Sequence, residues 1–141
     1  MKTIEALAQE VRNADNENKA LSWGLCRELA EAAGEADRYD AIKLEDDDSV
    51  DGREWKLGKR YAIAEAACRK LHIARHGAAM VWCDGCDPYW DYEDEIIDNE
   101  DGIWDRIAAA IGADADLADM DRIKAIIAFC KTSLFDVHVE V

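Results

Sequence analysis

"CRKLHIARHGAAMVWCDGCDPYW", residues 68 to 90, decides how the chain is read, because two local patterns overlap in it. Cys68, His72 and His76 recur every four residues, the spacing that sets side chains on one face of a helix. Cys83 and Cys86 flank Asp84-Gly85, a pair that favours the two-residue turn of a β-hairpin. The structural reading is a long helix from about Arg53 to His76, stopped by Gly77, then a hairpin over residues 80–91 whose second strand Pro88 keeps at an edge. The chemical reading places His72, His76, Cys83 and Cys86 around one tetrahedral structural zinc. Its order, HxxxH before CxxC, reverses that of a C2H2 finger, and "CDGCD" sets carboxylates beside the thiols, which opposes thiolate formation. The turn needs no metal, and neither does a domain of this length. The leading expectation is therefore a chain without a cofactor, with structural zinc as the alternative.

Outward from this stretch the pattern is mostly helical. Thr3 can cap a helix whose Ile4, Leu7, Ala8 and Val11 follow the helical period. Asp15 or Asn16 can cap a second, with the stripe Leu21, Leu25, Leu29, Ala32 and a stop at Gly34. The run "EDDDSVDG" (45–52) reads as an exposed loop. It fails as a calcium loop because Gly58 stands where a bidentate Glu is required. Ile63, Ala67, Leu71 and Ala74 form the expected core stripe of the long helix, and two further helices are expected around Ile103–Ile111 and Leu117–Lys131. "FDVHVEV" alternates Val137, Val139 and Val141 with polar residues, the period of a half-buried strand over 135–141. The expected architecture is α+β and mostly helical, with four to five helices and a small antiparallel sheet of hairpin and C-terminal strand, in a single domain over 1–141.

Composition narrows the function. Seventeen Lys and Arg against 32 Asp and Glu give a net charge of −15, a field that works against binding bare nucleic acid or an anionic membrane. No window approaches the ~18 apolar residues of a membrane span, and "MKTIEALAQEV" lacks the apolar run of an export signal, so a cytoplasmic protein is expected. Five cysteines, an odd number without such a signal, read as reduced thiols, with Cys26 and Cys130 as core residues.

The charge is also segregated. From Asp84 to Asp121 fourteen acids face one base, Arg106, whereas Arg53 to His76 carries seven Lys and Arg against Glu54 and Glu65. Aromatic residues lie among the acids, and a rigid acidic patch can imitate the phosphate track of DNA. The expected partner surface is Asp87, Trp90, Asp91, Tyr92, Glu93, Asp94, Glu95, Asp98, Glu100, Asp101 and Asp105. In size, charge and lack of a catalytic motif the chain resembles small acidic anti-restriction and anti-CRISPR proteins of phages and mobile elements. That likeness transfers no residue roles, and it implies a basic nucleic-acid-binding protein or complex as partner.

An enzyme reading rests on Glu28, Glu31 and Glu35, similar to the ExxE element of Mg²⁺-dependent all-α nucleotide pyrophosphohydrolases, but the matching ExxD is missing. The expectation is a non-catalytic acidic inhibitor acting by DNA mimicry. A small zinc-stabilised adaptor and a Mg²⁺-dependent nucleotide hydrolase are the alternatives.

Overall fold

A computed structural model describes residues 1–44, 49–83 and 102–139. The chain divides into two compact units, Met1–Ile73 and Ala74–Val141. The fold class is α+β and mostly helical, with six helices and one two-stranded sheet among the described residues.

The first unit holds α1 (Ile4–Asn16), α2 (Trp23–Ala32), α3 (Ala36–Asp40) and α4 (Val50–Lys70). Hydroxyl caps begin three of them. Thr3 Oγ1 accepts the Ala6 amide at 3.1 Å, Ser22 Oγ that of Leu25 at 3.2 Å and Ser49 Oγ that of Gly52 at 3.0 Å, each satisfying one orphan donor of a first turn. The cap of α1 is the expected one. That of α2 is Ser22 rather than Asp15 or Asn16, and α4 starts at Val50, inside the run expected to be loop. The short α3 brings Tyr39 into the core.

Leu7, Ala8 and Val11 of α1, Leu25, Cys26, Leu29 and Ala30 of α2, and Ala64, Ala67 and Cys68 of α4 are buried. The buried face of α4 is rotated from the expected stripe, since Ile63 is only half-buried while Ala64 is fully buried. The buried face of α4 is made of small side chains, which leave room for a neighbouring helix.

α4 does not reach His76. The Ile73 amide bonds back to the Cys68 carbonyl at 2.9 Å and the His72 amide to that of Arg69 at 3.1 Å. This Schellman closure requires the residue between to be left-handed, and His72 has φ 58°. The closure turns Ile73 into the core at 1% exposure, which a continued helix would not do. His76 and Gly77 then both have positive φ, with the Ala78 amide on the Arg75 carbonyl at 3.3 Å and an antiparallel bridge between those residues. Positive φ at both central positions is what a type I′ turn demands, so Gly77 serves a turn rather than a helix end.

The second unit holds β1 (Val81–Cys83), α5 (Ile103–Ile111), α6 (Asp119–Thr132) and β2 (Val137–Val139). The strands pair in parallel, Val81 with Val137, Trp82 with His138 and Cys83 with Val139. This corrects the expected antiparallel sheet. A parallel pair needs a long crossover, and α5 and α6 lie between the strands in sequence to provide one. The turn at Asp84-Gly85 and the second hairpin arm lie outside the described residues, as do Glu140 and Val141. Val81, Val137 and Val139 join Ile103, Trp104, Ile107, Ile126 and Cys130 in one core. Asp136 sets the register: Oδ1 accepts the Met80 amide at 2.9 Å and Oδ2 the Trp82 indole N–H at 2.8 Å, while the Val137 amide donates to the Met80 carbonyl at 2.8 Å.

Among the described residues, no helix is long and apolar enough to cross a membrane.

Candidate functional site

Of the expected partner surface, Asp105 is described, and Asp87, Trp90, Asp91, Tyr92, Glu93, Asp94, Glu95, Asp98, Glu100 and Asp101 lie outside the described residues. Asp105 sits in the first turn of α5, and Asp119 and Asp121 in the first turn of α6, where carboxylates favour the positive end of the helix dipole. Arg122 gathers two of them. One guanidinium nitrogen bonds Asp105, another lies 3.6 Å from Asp119, and Nε donates to the Leu117 carbonyl at 2.8 Å. Asp114, Asp116 and Asp121 are exposed, and the Asp114 carboxylate accepts the Asp116 amide at 3.0 Å.

Not all of these acids are spaced by helical turns. α5 begins at Ile103 and α6 at Asp119, so Asp116 precedes its helix and a helical ruler does not set its distance to Asp119.

The Cys and His residues are distributed differently from a helical HxxxH. Cys68 is fully buried in α4, His72 is the left-handed residue after that helix, and His76 occupies the turn before β1. Cys83 lies in β1 and Cys86 outside the described residues. Among the described residues no group of three or more His, Cys, Asp and Glu is arranged to hold a metal ion. His138, exposed on β2, stacks on Trp82 across the strand pair, with ring centroids 6.3 Å apart and planes within 12°.

The ExxE acids each meet a cation. Glu28 lies 3.0 Å from Lys2 Nζ, Glu31 3.1 Å from Arg27 and Glu35 3.3 Å from Arg38. Arg27 also bonds Asp40 at 2.8 Å, which holds that carboxyl below its ordinary range.

The basic helix turns three of its cations onto main-chain carbonyls. Lys70 Nζ donates to Ala33, at the C-terminus of α2, at 2.7 Å; Arg60 donates to Ile42 at 2.6 Å and Lys56 to Lys43 at 2.7 Å, just past α3. Carbonyls left over at helix ends are suited to such donors. Sequence reasoning had no signal for these bonds, because each spans 13 to 37 residues.

Cys26 and Cys130 are core thiols, as expected, and both are fully buried. Burial first, and Asp136 second, push the Cys130 thiol up from 9.0 to about 11. The unfolded chain therefore loses this proton before the folded one does, and stability should fall as pH rises from about 9 towards 11. The expected loss across that window is at most about 2 kcal/mol. Urea unfolding at pH 8, 9 and 10.5 should show it, and Cys130→Ala should flatten the alkaline decline.

Comparison with protein-family models, curated proteins and solved structures finds no match for this chain.

Proposed function

We propose that the chain is a non-catalytic acidic binding protein that occupies the nucleic-acid-binding surface of a cationic partner, as an inhibitor of a defence nuclease or CRISPR complex encoded by a phage or mobile element would. The observation that carries this reading is the run of fourteen acids against Arg106 alone between Asp84 and Asp121, within a chain of net charge −15. Like charges at this density repel and cost folding free energy, so they call for a use beyond solubility. The exposed Asp114, Asp116 and Asp121 support the reading, as does the use of Lys56, Arg60 and Lys70 on carbonyls of their own unit.

The test is capture of partners on the purified chain, eluted in rising salt and competed with duplex DNA. Nucleic-acid-binding proteins should elute as salt shortens the screening length from about 8 Å at physiological strength towards about 3 Å at 1 M. Reversing Asp94, Asp98 and Asp101 to Lys, together with Asp114, Asp116 and Asp121, should weaken the captured partner at least tenfold. Reversing Glu5 and Asp37 in the first unit should not. Unchanged affinity after the first set of reversals would refute this surface, and partners that DNA fails to displace would refute mimicry.

A further inference from the structure

The first unit carries an open groove of about 620 Å³ between α4 and the segment around α3. One wall is a single helical face, Lys59, Ala62, Ile63, Ala66 and Lys70, and Arg38 stands beside Glu35 on the other wall. Eleven residues separate the two lysines, so the face runs about 16 Å, three turns of helix. Ala62 and Ala66 are exposed one turn apart, with no side chain beyond Cβ to hold another backbone away. Apolar floor and cationic ends therefore occur together.

Lys59 and Lys70 are held in place rather than neutralised. Lys59 Nζ sits 3.5 Å from the centre of the Trp55 ring, and Lys70 donates to a carbonyl; neither contact removes the charge. Arg38 is the one of the three that meets a carboxylate, Glu35. Three cations against Glu35 leave the groove a net positive lining on a chain of net charge −15.

We propose that this groove docks an acidic amphipathic helix of a partner protein, with apolar residues at i, i+3, i+4 and i+7 on the alanine floor and carboxylates meeting Lys59, Lys70 and Arg38. A ligand of drug size is typically enclosed over about 70–90% of its surface, which a groove open along three turns cannot do, whereas a helix in a groove needs one covered face. A polyanion would meet the field of the whole chain, while a short helix with a few acids meets chiefly the lining within a screening length. The proposal is independent of the acidic surface and its partner.

The probe is a displayed library of fifteen-residue helices, of about four turns, with randomised faces, selected against the full chain. Enriched helices are expected to carry Asp or Glu flanking the apolar stripe. Their affinity should fall at least tenfold on Ala66→Trp, which fills the floor, and on the double change Lys59→Glu with Arg38→Glu. Far-ultraviolet circular dichroism and unchanged melting of both variants show that the fold survives. Should one variant fail to fold, the other decides. The proposal is overturned if no helix enriches, if the enriched helices bind the folded variants as well as the original chain, or if they are basic, since the acidic surface would then be selecting them.

Discussion

Leu29→Ala is expected to destabilise the first unit by about 3–4 kcal/mol, near the middle of the range for a leucine deleted from a close-packed core. Leu29 is fully buried on α2, and α2 packs against α1, α3 and α4. Deleting three carbons forfeits their transfer from water and leaves a cavity that the surrounding structure closes only in part. Domains are typically stable by about 5–15 kcal/mol, so the change removes a quarter or more of the total. Urea unfolding followed by circular dichroism measures it as a lower midpoint at unchanged slope. Leu29→Met, which keeps most of the volume, should cost under about 1.5 kcal/mol. Equal losses for the two variants would mean that α2 does not anchor the unit as its burial indicates.

The second large effect is expected at Asp136. Its two oxygens take donors from β1, the Met80 amide and the Trp82 indole, while Asp136 itself immediately precedes β2. Asp136→Ala leaves both donors without this acceptor, at about 1–3 kcal/mol each when fully shielded from water; both bonds are only part-buried, so a total loss of about 2–4 kcal/mol is expected. Asp136→Asn keeps one carbonyl oxygen but turns an NH₂ towards the other donor, and should fall between the two. Hydrogen exchange separates this from a general loosening. The Met80 amide should lose protection early in the variant, whereas amides in the middle of α6 should keep theirs until the whole unit opens. If Met80 stays protected in Asp136→Ala, β1 is held by its main-chain ladder alone.

These two residues also mark how far local reading reaches. Leu29 stands out in sequence, because its period with Leu21 and Leu25 places it on a buried face, and all three are buried. Asp136 offers no such signal, since its partners lie 54 and 56 residues earlier in the chain. The candidate site divides similarly. The concentration of acids is a property of composition, legible without coordinates. That Asp105 and Asp119 converge on Arg122, and that Lys56, Arg60 and Lys70 serve carbonyls, depends on which elements lie side by side.

The sequence by itself determined what is decided within a turn or two of chain: the Thr3 cap, the bounds of α5 between Gly102 and Gly112, the alternation of β2 and the sign of the charge. These follow from hydrogen bonds and steric limits between near neighbours, which the side chains present carry with them. Only the tertiary structure decided that α4 ends at Lys70 and that β1 pairs in parallel with β2. The four-residue spacing of Cys68, His72 and His76 is equally good for a longer helix, and nothing local forbids it. Burying Ile73 repays the left-handed backbone at His72, and that gain exists only where a core is present to receive the side chain. Likewise, the neighbour that β1 acquires depends on the crossover through α5 and α6 and on the carboxylate that Asp136 brings to meet it.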